Sequence, residues 1–424
     1  MVHELEVWLF ADKVGTLSLA GGRLSFCYHA SWLANSNAVA LSRSLPLQAE
    51  PFDDIHTRPF FAGLLPEGHL RRLIAQQFQI SGQNDFALLN AIGGECAGAI
   101  TFLPKDAAPQ MGGKGKVQWL DDQRLVDILD ELPRRPMLAG QDGLRLSLAG
   151  AQDKLPVVFD GQRIGLPLSG HPSTHILKPP IHALENSVVN EGFCLALAHT
   201  MKLPAAEVQV HQAGNRRFLL ITRYDRQLDT EGRPTRLHQE DFCQALGVVS
   251  EIKYQNEGGP DLKACFDLLR RVTRPSAPQV LRLLDYVVFN ALIGNHDAHA
   301  KNFSLLYAAP PSKTPPTLAP LYDVLSTAIY PNLTPKMAMK LGSKYKFSEV
   351  QARHWEEFAE AAGLARALTR KRILGIAQAL PTAARALQAS PKFAGKPLLD
   401  HIITLIEQRA ALTVQRLTGG DDSA

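Results

Sequence analysis

Over the first hundred residues, apolar positions fall in short runs broken by turn chemistry. Residues 6–10, 14–19 and 23–28 are rich in β-formers, and Ala11-Asp12-Lys13 and Gly21-Gly22 separate them. The pattern predicts a meander of two hairpins. The period then changes. Phe60, Leu64, Leu70 and Ile74 recur on a rough helical spacing and predict a helix over residues 59–77. A short helix over residues 85–91 and a strand over 98–103 follow.

From residue 104 to 116 the periodicity disappears. Gly, Pro and Lys dominate this stretch, which reads as a linker. It lacks the Walker spacing of Gly and Lys, so it is not a phosphate loop of that kind. Strands and helices alternate over 117–225, with strands expected at 144–148, 155–159, 174–177 and 217–222. An amphipathic helix is expected over 187–201. Beyond residue 236 the pattern is mostly helical. Its clearest helix covers 278–293, with Ser276 to cap it, Pro278 in the first turn and Gly294 to end it. The last sixty residues read as Ala- and Leu-rich helices with a polar tail at 419–424. No internal repeat is visible. The expected segments are a β-rich part over 1–105, a linker over 106–116, a mixed part over 117–225 and a helical part over 226–424.

A chain of 424 residues, 45% hydrophobic and 20% charged, can bury a large core in two or three domains without a metal or disulfide staple. The net charge of +4 is small for this length and does not indicate a protein that coats nucleic acid. Local basic patches, at Arg71-Arg72, Arg134-Arg135 and Arg370-Lys371-Arg372, read as solvated faces. Five cysteines, with no C-x-x-C, read as buried free thiols in a reducing compartment. No secretory signal is visible at the start, and the longest apolar run, near residues 286–293, is too short to span a bilayer. The expectation is a cytoplasmic protein without membrane contact.

The chemistry concentrates where the 278–293 helix ends, at Gly294-Asn-His-Asp-Ala-His-Ala-Lys-Asn-Phe303. Asp297 precedes Asn302 by five positions, and Asp323 follows in Pro320-Leu-Tyr-Asp323. Phosphoryl transfer to a hydroxyl needs one carboxylate to take the proton. It also needs an Asn and a second Asp to hold magnesium against the phosphates. Asp297 is the candidate base, and Asn302 and Asp323 are the candidate metal ligands. A rival reading makes His296, Asp297 and His299 a metal cluster. Upstream, Lys178 ends a β-like run and could neutralise phosphates, with Glu191 on the next helix to orient it. The turn Ala149-Gly150-Ala151 could bring backbone N–H groups to phosphates, with Gln152 and Lys154 as further donors. A plain hairpin turn explains the same residues equally well.

Six stretches in order resemble the successive signatures of the HipA family of kinases. They are Ser147-Leu-Ala-Gly-Ala-Gln-Asp-Lys154, Thr174-His-Ile-Leu-Lys178, His238-Gln-Glu-Asp-Phe-Cys-Gln244, Lys253-Tyr-Gln-Asn-Glu-Gly-Gly-Pro260, His296-Asp-Ala-His-Ala-Lys-Asn302 and Leu321-Tyr-Asp323. The first hundred residues resemble that family's N-terminal subdomain. The resemblance implies an α+β, kinase-like bilobal fold with ATP and Mg2+ in the cleft. It implies that Lys178 contacts the ATP phosphates and that residues 149–154 form the phosphate loop. Residues 221–224 would be the adenine hinge, with Tyr224 packing on the base. Thr222 stands where an acidic residue is expected. Asp225 and His299 are implied near the substrate, and Ser147 is implied as an autophosphorylation site that switches the kinase off. Family partners are a helix-turn-helix antitoxin dimer of the HipB kind, operator DNA through that complex, and an aminoacyl-tRNA synthetase substrate, typically the glutamyl enzyme. Two other readings stay open: a non-catalytic co-repressor partner of the antitoxin, and a small-molecule or lipid kinase on the same fold.

Overall fold

A computed structural model of the chain describes residues 3–105, 107, 116–309 and 313–419. Most of the expected linker, and the tail beyond Gly419, lie outside the described residues. The fold is α+β and comprises two compact units. The first takes Met1–Ile181, Gln209–Glu251 and Ser304–Pro316, and the second takes His182–Val208, Ile252–Phe303 and Thr317–Ala424. Each unit is therefore discontinuous in sequence, whereas the expected segments are contiguous. No helix among the described residues is long and apolar enough to cross a membrane.

In the first unit the expected meander forms. Strands β1 (His3–Leu9), β2 (Asp12–Ala20) and β3 (Arg23–Tyr28) pair antiparallel, and β4 (Ile100–Leu103) joins the free edge of β1. Alternation turns Val7, Leu17 and Phe26 into one core, where Phe60, Phe61 and Phe102 meet them. Burying each such side chain contributes roughly 1.5–3 kcal/mol. The single helix expected over 59–77 is two helices, Asp54–Ala62 and Gly68–Gln77. Asp53 caps the first by accepting from His56 N at 3.1 Å. Pro66, with no N–H to donate, stands in the gap, and Gly68 at φ 55° begins the second helix.

A second sheet of the first unit runs β5 (Val117–Trp119), β7 (Ile164–Pro167), β6 (Leu155–Phe159), β8 (His175–Lys178), β10 (Arg216–Thr222) and β9 (Val208–Ala213) in spatial order. The strand expected over 144–148 does not form. Its hydrogen bonds go to one loop residue, with Glu95 N donating to Arg145 O and Ser147 N donating to Glu95 O. Leu144, Leu146 and Leu148 are nonetheless buried. The apolar spacing thus reports burial correctly, while no neighbouring strand is present to complete a ladder.

The second unit is mainly helical. Helices Arg366–Gln388 and Pro397–Thr418 pack on each other and on Ser276–Ile293. Two helical expectations need correction. The helix Ser187–Thr200 is not amphipathic, because eleven of its residues are buried. Its surroundings explain this: Phe193 meets Phe393 edge-on at 5.3 Å, and Asn190 exchanges hydrogen bonds with the Ser326 backbone. Ser276 is the first residue of its helix and does not cap it, since Pro275 occupies the N-cap position. Gly294 ends that helix at φ 78°, as its lack of a Cβ permits.

Candidate active site

In the first unit, Ser147 and the small-residue turn form one construction. Ser147 is fully buried, and its Oγ donates to Leu64 O at 2.9 Å. Three residues on, Gly150 bridges to Pro66, and its carbonyl accepts from Glu67 N at 3.0 Å. Both ends of the turn are thus tied to the segment between the two N-terminal helices. Gly150 has φ 109°, and a Cβ there would lie 2.8 Å from Lys154 Nζ. Lys154 is itself buried and folds back to donate to Ala149 O at 2.6 Å. Ala151 is exposed, and Gln152 is half-buried. Asp153, which the sequence did not single out, has a buried Oδ1 without a hydrogen bond, and burial pushes its carboxyl up.

Lys178 ends β8 and is buried. It pairs with Leu219, and Ile176 pairs with Ile221, so these four side chains share one face of the sheet. On the other face lie Leu177, Leu220, His175 and Thr222. Leu177 and Leu220 enter the core there, and Thr222 Oγ1 lies 3.3 Å from His175 Nε2. Thr222 therefore turns its side chain away from the Lys178 face and leaves only its main chain toward that side. Burial lowers His175 to about 4, so its imidazole stays neutral. Tyr224 is half-buried and donates its hydroxyl to Gln239 Oε1. Asp225 is buried, and its carboxylate pairs with Arg223 and Arg226 and accepts from Gly98 N. Those contacts make Asp225 part of an interior ionic cluster.

In the second unit, the chain from Gly294 to Asn302 is held as a rigid loop. Gly294 O accepts from Ala328 N at 2.9 Å, and His296 N donates to Thr327 Oγ1 at 2.7 Å. Asn295 Nδ2 donates to Asn290 Oδ1, and Asn295 Oδ1 accepts from Asp297 N. Asn302 closes the loop by donating Nδ2 to Asp297 O at 2.8 Å, which leaves its Oδ1 as the atom able to act as a ligand. The Asp297 side chain is about half exposed, at 49%. Its Oδ1 accepts from Tyr254 Oη at 2.7 Å, and His299 Nε2 stands 3.9 Å away. Tyr254 also packs edge-on against the His299 ring, with centroids 5.1 Å apart. Asp323 has φ 53°, a left-handed conformation uncommon for a residue with a Cβ. Tyr322, just before it, donates its hydroxyl to Lys301 O at 2.7 Å and so ties the Asp323 segment to the loop.

The structure thus brings Asp297, His299 and Asn302 together, with Asp323 joined to them through Tyr322. Lys178 belongs to the first unit, and Glu191, buried on its helix, to the second. Sequence reasoning missed Tyr254 as a site residue. Nothing in local spacing says that residue 254 meets residue 297. The rival metal cluster at His296, Asp297 and His299 does not form. His296 Nδ1 faces Thr334 O, and its Nε2 faces Arg409. Among the described residues no group of three or more His, Cys, Asp or Glu side chains is placed to hold an ion. Asn302 Oδ1 and the Asp323 carboxylate are instead hard oxygen donors. They suit magnesium, which keeps several waters and takes further oxygens from phosphates.

Two family models match the chain: HipA N-terminal domain over residues 5–103 and HipA-like C-terminal domain over residues 146–385. A putative kinase of Sinorhizobium fredii, Y4mE, is 46% identical over 417 residues, covering 97% of this chain and 98% of that protein. The serine/threonine-protein kinase toxin HipA of Shewanella oneidensis is 29% identical over 391 residues, covering 89% of this chain and 88% of that protein. The solved Shewanella oneidensis HipA, in a complex with HipB and its operator DNA, superposes with a TM-score of 0.85 at 26% identity. That match covers 99% of this chain and all of that one. The chain belongs to the HipA family of kinases.

Proposed function

We propose that this kinase transfers the γ-phosphoryl group of Mg-ATP to a serine or threonine hydroxyl of a protein, and that it is the toxin of a toxin–antitoxin pair. The observation that carries this reading is the loop closed from Asn302 to Asp297, with a half-exposed carboxylate oriented by Tyr254. Asp297 accepts the hydroxyl proton as the substrate oxygen bonds to the γ-phosphorus and the bond to the ADP oxygen breaks. Tyr254 holds one carboxylate oxygen and so directs the other to the hydroxyl. Asn302 Oδ1 and Asp323 would hold magnesium, which would supply positive charge to neutralise the phosphates. Lys178 and the N–H groups of residues 149–152 would take the phosphates, and the backbone of residues 221–224 and the Tyr224 ring would take the adenine.

The names of the Shewanella relative and of its complex support a HipB-like antitoxin dimer as partner, with operator DNA reached through it. Family resemblance supports an aminoacyl-tRNA synthetase of the glutamyl type as substrate and Ser147 as the inactivating autophosphorylation site. Five free cysteines, four of them buried, support a reducing cytoplasm. The test is labelling of cell lysate with γ-labelled ATP, and identification of the labelled protein by mass spectrometry. Asp297→Ala should fold and lose roughly 10²–10⁴-fold of the transfer rate. Full activity in that variant would end the assignment of the base. Stronger operator binding by the antitoxin in the presence of this chain, without any phosphoryl transfer, would favour the co-repressor reading.

A further inference from the structure

Behind the catalytic loop, within the second unit, lies a cavity of about 450 Å³. Small-molecule sites run from about 300 to 1,000 Å³. Its walls are largely apolar, with Leu333, Leu405, Leu412 and Phe347 among them, and Arg409 and His296 provide its polar side. Arg409 lies 4.6 Å over the Phe347 ring. It donates Nη1 to Ala291 O at 2.6 Å, and its Nη2 lies 2.9 Å from His296 Nε2. Both partners are neutral acceptors. Among the described residues no carboxylate lies within ion-pair distance of Arg409, and burial alone lowers it to about 10. An arginine carries five N–H donors, so this guanidinium has bonding capacity left over.

Burial and Arg409 lower His296 to about 4, so it is neutral at physiological pH. With Nδ1 facing Thr334 O at 3.1 Å, its Nε2 is the acceptor toward Arg409. Lys346, also in the lining, is about half exposed to water and stands 3.8 Å from Glu349, a carboxylate it shares with Lys344 at 3.9 Å. Lys346 is thus met by water and Glu349, whereas Arg409 stands against the apolar wall with no carboxylate beside it. A guanidinium fork matches a planar carboxylate, whereas a dianionic phosphate would bring more charge than one arginine balances and would lose hydration against leucines.

We propose that this cavity binds a small organic monocarboxylate, its carboxylate on Arg409 and its apolar body against Leu333, Leu405 and Leu412. The site adjoins His296, the residue before Asp297, and its occupancy is read by binding alone, independently of phosphoryl transfer.

The experiment is titration calorimetry of the full chain with octanoate, octanamide and inorganic phosphate. Octanoate should bind at least about tenfold more tightly than either of the others, a difference of about 1.4 kcal/mol. Arg409→Gln should lose that preference for octanoate over octanamide. Leu333→Trp changes a residue that is 39% exposed and narrows the cavity without touching the arginine. It should weaken octanoate binding by a similar factor, and it keeps the test intact if Arg409→Gln fails to fold. The proposal is overturned by the absence of octanoate binding to the unaltered protein at millimolar concentration. Equal binding of octanamide or phosphate, or undiminished octanoate binding in Leu333→Trp, overturns it as well.

Discussion

Two side chains define what single residues contribute to this site. Tyr254 Oη donates to Asp297 Oδ1, and a hydrogen bond to a charged group is worth about 1.5–3 kcal/mol. Tyr254→Phe removes the hydroxyl and keeps the ring against His299, so kcat should fall by roughly tenfold or more while KM for ATP stays near its original value. A change in KM with unaltered kcat would show that Tyr254 supports nucleotide binding and does not position the base. Ser147 illustrates the opposite case, a hydroxyl whose place leaves no room for modification. It is completely buried and bonded to Leu64 O, so a phosphate of about −1.5 to −2 charge cannot remain there. The segment must move out, and Gly150, tied to Pro66 and Glu67 three residues on, must move with it. Ser147→Asp should therefore bind ATP poorly, and Ser147→Ala should bind it normally at a stability cost of about 1 kcal/mol. Mass spectrometry of protein incubated with Mg-ATP that finds no phosphate on Ser147 would sink the switch.

Helix termini set the loop from Gly294 to Asn302 among the secondary-structure elements. Gly294 ends the helix Ser276–Ile293 with φ 78°, and a Cβ there would lie 2.6 Å from Leu405 and 2.7 Å from Ala328. Gly294→Ala should lower stability by about 1–3 kcal/mol in urea unfolding and reduce transfer by displacing Asp297 three residues on. An unfolding midpoint equal to that of the unaltered protein would refute the strain. This terminus was legible in the sequence, as were the meander, strands β6, β8 and β10 and the loop from Asp297 to Asn302, because each rests on local period or local punctuation. What stayed hidden depends on distant neighbours. Residues 144–148 alternate like a strand, but their partner is a loop at Glu95. Residues 187–200 look amphipathic because small and polar side chains such as Asn190 and Glu191 are buried by segments far along the chain. The side of the sheet taken by Thr222 follows from its pairing with His175, which no single strand reveals. The link from Tyr254 to Asp297 spans 43 positions.

For the molecule as a whole, two buried carboxylates in the first unit should shape stability against pH in opposite directions. Burial pushes Glu240 up to about 7, despite hydrogen bonds from Ser42, Tyr307 and Arg43 N. A carboxyl raised in the folded state binds its proton more tightly there than in the unfolded chain. Its contribution is complete below the ordinary value of 4.5 and is lost as pH rises toward 7. Glu95 behaves in reverse. Burial alone would raise it, but Arg236, Arg226 and Arg223 surround it and hold it far below the ordinary carboxylate range. Its contribution is complete above 4.5 and is lost as pH falls below that value. Ser173 completes this cluster by donating both N and Oγ to Glu95 Oε1. Glu95 precedes β4 of the N-terminal sheet, while the arginines follow β10, so the cluster joins the N-terminal subdomain to the second sheet. Glu95→Gln keeps the shape and removes the charge, leaving the buried guanidiniums of Arg223 and Arg226 and the part-buried one of Arg236 against Asp225 alone. Breaking such a buried pairing costs about 3–5 kcal/mol. Thermal unfolding followed from pH 3.5 to 8 should show Glu95→Gln well below the unaltered protein at neutral pH, with the gap closing on the acid side. Glu240→Gln should instead gain on the unaltered protein as pH rises through 7. A gap for Glu95→Gln that stays constant down to pH 3.5 would mean that the carboxylate is held by packing and that its charge does not join the two parts.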